Sequence, residues 1–169
     1  KRPSAPALVN WFADAWGILP AYRGSVARGT IMASKTALIQ GGVLAIFPEG
    51  GSWATVLRPP RPGAAFLATM CNAPILPVGL NGLTDVFPKF RRGKRAVVKM
   101  KIGKPFGPYY VSDRGEANRG RLEEIGHEIM QRVAELVSPP DRGFYSEDPK
   151  VREAARGTEI YPWAENPES

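Results

Sequence analysis

The stretch Val43–Gly51, V-L-A-I-F-P-E-G-G, decides how this chain is read. A short apolar, β-branched run stops at Pro-Glu-Gly-Gly. It predicts a buried strand, Val43–Phe47, with one carboxylate, Glu49, on the turn beyond it. In open α/β sheets ligands bind at that end of the strands, where loops surround a small molecule on a rigid platform. Gly50 and Gly51 permit a tight turn and a close backbone approach that a side chain would forbid. A purely structural turn has little use for a glutamate set this way, so Glu49 is read as a functional group.

The flanking segments alternate in type. Upstream, Ile18–Arg23 reads as a short strand ending at Arg23. Val26–Gln40 reads as a helix with Ile31, Leu38 and Ile39 inward and Gly41-Gly42 as its terminator. Downstream, Ser52–Arg61 is a loop rich in Arg and Pro. Pro62 opens a small-residue helix, Gly63–Asn72, and Ile75–Leu80 is the next buried strand. This order predicts an α/β fold, a mostly parallel sheet flanked by helices and joined by right-handed crossovers.

Farther out, Ser4 and Pro6 start a helix in which Leu8, Trp11, Phe12, Ala15, Trp16 and Leu19 recur at helical spacing. A core-facing stripe is preferred there over a face dipping into a membrane interface. Arg95–Ile102 alternates like a strand near a sheet edge. Asn118–Val137 is an amphipathic helix with Leu122, Ile125, Ile129, Val133 and Leu136 inward, ended by Pro139-Pro140. The domain assignment is therefore 1–140 for the α/β domain and 141–169 for a polar tail, partly disordered or laid over the domain.

A chain of 169 residues is one domain by size and buries about 70% of its unfolded surface. No run approaches the ~18 apolar residues needed to span a bilayer. The single cysteine, Cys71, excludes an internal disulfide and reads as an ordinary buried thiol. The net charge of +7 points to an anionic partner. Eight basic residues and no acid lie between Lys89 and Lys104, whereas the tail from Glu147 carries six acids against three bases. The basic run reads first as a solvated face, with a platform for anionic lipid as the functional alternative. No DNA or RNA module is visible, so nucleic acid is not expected as a partner.

Phosphate binding needs donors that stay charged, and the planar arginine fork matches phosphate oxygens. In a parallel sheet Arg23 and Glu49 emerge on the same edge, and Arg58 and Arg61 follow on the loop after Glu49. Such a set suits a phosphate held by arginines and a hydroxyl held by Glu49. His127, the only histidine, lies on the solvated side of its helix, two positions from inward Ile125, and is not read as catalytic. Ser52 is not in a nucleophile elbow. No dinucleotide fingerprint, Walker loop or metal-ligand spacing is present, so the site is read as metal-free.

The motifs together resemble the glycerolipid acyltransferases of the 1-acyl-glycerol-3-phosphate (lysophosphatidate) type. Tyr22-Arg23-Gly24 after I-L-P-A, F-P-E-G at Phe47–Gly50, P-G-A at Pro62–Ala64 and I-L-P-V at Ile75–Val78 stand in the family's order over residues 1–137. The resemblance implies a monotopic enzyme on the cytoplasmic face of a membrane. It would move a fatty acyl group from acyl-CoA or acyl carrier protein to a lysophospholipid or glycerol phosphate hydroxyl, with no other cofactor. It assigns the acceptor phosphate to Arg23, the acceptor site to Phe47, Pro48, Glu49, Gly50 and Gly51, and the acyl side to Pro77.

Two departures from the family pattern stand out. The Thr-Arg-Ser that usually follows F-P-E-G is Gly51, Ser52 and Trp53 here, and Arg58 or Arg61 is expected to replace the missing arginine. The family's H-x-x-x-x-D pair, the base and its orienting acid, is absent, since the residue five beyond His127 is Arg132. That pair is expected upstream of Lys1, in an N-terminal part that this chain lacks. No catalytic residue is therefore assigned within it, and the alternative is a non-catalytic lipid- or membrane-surface-binding protein on the same scaffold.

Overall fold

The computed structural model describes residues 11, 15–19, 28–51, 54–110 and 116–158. They fall into two units, one within Lys1–Ala45 and one within Ile46–Ser169. The predicted strand ending at Arg23 lies outside the described residues, as do most of the aromatic helix and Ser52. Trp11 and Trp16, read as part of a core stripe, are both exposed.

In the first unit, α1 spans Arg28–Ile39 and buries Ser34. Its end is the predicted glycine pair. Gly41, at φ 80°, donates its N–H to the Leu38 carbonyl at 3.1 Å, and Gly42 donates to Ala37 at 2.8 Å. This is a Schellman closure, in which a left-handed residue satisfies the last free carbonyls of the helix.

The second unit is built on the long amphipathic helix. We label Gly63–Met70 α2, Val86–Arg91 α3, Glu116–Ala134 α4 and Pro149–Ala154 α5. The period of α4 was legible because Ile125 and Ile129 recur on one face, and both are buried. They meet Ala65 of α2, with Ile75, Phe106, Tyr109 and Leu122 packed around them. Small residues in α2 allow this close approach, and no larger core forms among the described residues.

The β-structure differs from the expected parallel sheet. Strands β1, Val78–Asn81, and β2, Lys99–Ile102, pair antiparallel, with Val78 opposite Ile102 and Asn81 opposite Lys99. Ile75 and Phe106 add an antiparallel bridge. Among the described residues no parallel pair occurs. A parallel pair needs two strands joined by a crossover; Ile18–Arg23 lies largely outside the described residues, and Val43–Phe47, the next expected strand, is not formed. Residues 43–46 are irregular, and Val43 is 97% exposed. Its β-branched run straddles the boundary between the two units. Among the described residues no neighbouring strand receives its backbone hydrogen bonds, which a strand requires.

Residues 139–158 fold and lie against the loop at Leu57 and Arg58. Two 3-10 turns, Pro139–Asp141 and Gly143–Tyr145, lead into α5, and Gly143, Ser146 and Ala155 are buried. Asn81, at the end of β1, ties this segment in. It accepts from the Ser138 N–H at 2.7 Å and donates to the Leu136 carbonyl at 3.2 Å. Among the described residues no helix is long and apolar enough to cross a membrane.

Candidate functional site

Residues 47–51 and 54–61 form the turn that the sequence singled out and the loop after it. The Gly50 N–H closes on the Phe47 carbonyl at 3.1 Å, and the Arg61 N–H on the Pro48 carbonyl at 2.7 Å. Gly50 has φ 69°, and a Cβ there would lie 2.8 Å from Arg61 Cγ. Glycine is therefore required twice, for the left-handed backbone and for the arginine stem laid across it. Phe47 is exposed, and Pro48, Glu49 and Gly51 are half-buried.

Arg58 does something the sequence reading did not foresee. Its side chain is 1% exposed. The guanidinium donates through Nη2 to the carbonyls of Glu49 and Gly51, the latter at 3.2 Å, and through Nη1 to the carbonyl of Thr158 at 3.2 Å. The planar fork, matched in the sequence analysis to a phosphate, is spent here on backbone oxygens. In the structure Arg58 is the internal brace of the Pro-Glu-Gly-Gly turn. Burying such a cation is costly unless acceptors like these replace its water.

The segment beyond Pro139 clamps the same loop. Leu57 donates its N–H to the Asp141 carbonyl at 2.8 Å and accepts from the Phe144 N–H at 3.0 Å. Gly143, at φ 49°, sits so close that a Cβ on it would lie 2.0 Å from the Leu57 carbonyl oxygen. On the other side Pro60 rests on α4, its Cγ 3.0 Å from where a Cβ of Gly126 would be. The loop is thus held between a helix and a strap.

Electrostatics follow from this enclosure. Burial raises the Glu49 carboxyl above its ordinary value of 4.5, and the charge and backbone amide of Arg58 pull it only partly back. Tyr145, on the strap, is raised by burial and by the Glu49 charge. Its hydroxyl is hydrogen-bonded to His127 Nδ1 at 2.8 Å, and the His127 ring lies 5.8 Å from the ring of Phe144. His127, expected on a solvated face, is half-buried because the strap covers it. The pattern of α4 alone carried no sign of that cover.

A raised carboxyl makes a stability prediction with a definite sign. The native state holds the Glu49 proton more tightly than the unfolded chain, so this contribution is complete below the ordinary carboxylate value. It is lost as pH rises through the raised one. Replacing Glu49 with Gln should raise the melting temperature at pH 7, and the gain should shrink as the pH falls below about 4.5. Thermal melts at the two pH values check this; a gain of equal size at both would contradict the burial argument.

The remaining expected site residues are placed as follows. Arg61 is half-buried, its stem over Gly50. Pro77 is buried just before β1, its carbonyl accepting from the Gly103 N–H at 3.0 Å. Arg23 lies outside the described residues. Two open grooves run along α4. One, of about 1090 Å³, is lined by Glu123, Glu124, His127, Glu128, Gln131 and Glu135 among others; the second, of about 280 Å³, reaches Arg142 and Tyr145. Neither is lined by Phe47–Arg61, and the acidic lining of the larger one repels a phosphate.

A turn carrying one half-buried carboxylate, braced from behind by a buried arginine, can present a hydrogen-bond acceptor to a hydroxyl. One comparison with known proteins covers these residues. The family model described as Acyltransferase matches residues 4–81. No curated protein and no solved structure matches the chain. Across residues 4–81, just under half its length, the chain matches the acyltransferase family, in agreement with a glycerolipid acyltransferase.

Proposed function

We propose that this protein transfers a fatty acyl group from a thioester donor, acyl-CoA or acyl carrier protein, to the hydroxyl of a phosphate-bearing glycerolipid acceptor. The observation that carries the reading is the acyltransferase match across residues 4–81, which contain the braced Glu49 turn. In the reaction the acceptor oxygen attacks the thioester carbonyl carbon, the C–S bond breaks, and the hydroxyl proton passes through a base to the departing thiolate. Glu49 accepts a hydrogen bond from the acceptor and orients it, and Arg23 holds the phosphate. Pro77 and the strand it precedes border the acyl chain.

The proton-accepting His/Asp pair of the family is not among these 169 residues. His127 does not replace it, since its Nδ1 is engaged by Tyr145 and Arg132 stands where the family has Asp. The roles above therefore concern binding and orientation. The test is an acyl-transfer assay of the intact protein with lysophosphatidate and, in parallel, with the phosphate-free monoacylglycerol. Lysophosphatidate should be acylated at least about tenfold more efficiently, the loss expected when a charged hydrogen bond to the acceptor is removed. Equal rates would exclude a phosphate-selective site, and no transfer to either would favour the lipid-binding alternative.

A further inference from the structure

Between β1 and β2 the chain forms a projecting tip, Leu83–Arg95, that acyl transfer does not use. At its neck Gly82, at φ 83°, lies against the Val97 carbonyl, 2.5 Å from where a Cβ would stand. Helix α3 follows, closed by hydrogen bonds from Arg92 and Lys94 to the Lys89 carbonyl at 3.0 and 2.9 Å, and from Gly93 to Phe90 at 3.0 Å. The tip is therefore a defined platform. Phe87 and Phe90, three positions apart and so on one helical face, are 74% and 79% exposed.

Holding two phenylalanines in water is unfavourable unless something covers them. What surrounds them limits what that can be. Lys89 pairs with Asp85 at 2.7 Å, while Arg91, Arg92, Lys94 and Arg95 are exposed around the pair. From Val86 to Ser112 the sequence contains no acid. An exposed apolar pair followed at once by exposed cations matches the boundary of an anionic bilayer, where rings enter the acyl region and guanidiniums meet headgroup phosphates. Platforms for single-stranded nucleic acid also pair aromatics with cations, but they do so in a groove that tracks the strand. Neither groove along α4 is lined by residues of this tip.

We infer that the Leu83–Arg95 tip docks the protein on an anionic phospholipid surface, with Phe87 and Phe90 inserted and Arg91, Arg92, Lys94 and Arg95 on the headgroups. The inference stands on residues outside the acyltransferase match and goes beyond acyl transfer. The test is co-sedimentation of this chain with phosphatidylcholine vesicles and with vesicles that also contain phosphatidylglycerol. Binding is expected only to the latter and should weaken as salt is added. The double substitutions Phe87→Ser/Phe90→Ser and Arg91→Gln/Arg92→Gln should each weaken it by about tenfold or more. Both should keep the wild-type far-UV dichroism, since these side chains are exposed.

Absence of binding to phosphatidylglycerol vesicles would overturn the inference, as would wild-type binding by both variants. Retention of a single-stranded RNA against an excess of those vesicles would overturn it in favour of nucleic acid. Phe87→Ser/Phe90→Ser in the intact protein should still acylate a detergent-dispersed acceptor at the wild-type rate. Loss of that activity would assign the tip to the transfer site instead. Failure to bind vesicles would leave the acyl-transfer reading standing, so the two fail separately.

Discussion

Replacing Arg58 with Met should destabilise the protein by about 3–6 kcal/mol, because the part-buried carbonyls of Glu49, Gly51 and Thr158 lose a common donor. Methionine fills much of the same space, so the effect measures the hydrogen bonds rather than a cavity. Lysine retains the charge but not the planar fork that reaches three carbonyls, and Arg58→Lys should fall between the two. Chemical denaturation gives the comparison. A second readout separates a brace of the site from a remote support. The Arg58 charge lowers the Glu49 carboxyl, so its removal should move the ionisation of Glu49 to still higher pH. The pH profile of acceptor KM should move with it. A stability loss with an unmoved profile would mean that Arg58 holds the loop without acting on the carboxylate.

The second large effect is expected at Gly143. A Cβ at this position would stand 2.0 Å from the Leu57 carbonyl oxygen, on a backbone at φ 49°. Neither problem is relieved by a flexible side chain, since both partners are backbone. Gly143→Ala should force the strap off Leu57, breaking the bonds from Leu57 to Asp141 and from Phe144 to Leu57. Two lost hydrogen bonds and the strained backbone together amount to about 3–5 kcal/mol. That corresponds to a fall in Tm on the order of 10 °C for a chain of this size. Limited proteolysis should then cut within residues 139–158 before the rest. An unchanged proteolytic pattern and Tm would show that the strap does not support the loop.

These two residues also mark where sequence reasoning stopped. What it read well was local and periodic. The Gly41-Gly42 closure follows from glycine conformational freedom, the core face of α4 from its 3.6-residue period, and the turn at Gly50 from its required left-handed backbone. Arg58 is read in the sequence as a phosphate ligand, whereas its partners in the structure include backbone carbonyls nine and a hundred residues away. Backbone oxygens carry no residue signature, so nothing in the letters marks them as its acceptors. The strap was called polar for the same reason: it docks through main-chain hydrogen bonds and a glycine rather than an apolar stripe. Gly143, between Arg142 and Phe144, was the one available hint. The strand Val43–Phe47 failed differently, since its composition suits a sheet but a strand exists only beside another.

The account rests on Glu49 as the group that receives the acceptor hydroxyl. The most direct test is steady-state acyl transfer by the intact protein carrying Glu49→Gln, with acceptor and donor titrated in turn. The account predicts that acceptor kcat/KM falls on the order of tenfold to a hundredfold, the range for losing a hydrogen bond to a charged group, with the donor KM unchanged. Unchanged acceptor kcat/KM in a folded variant would contradict it.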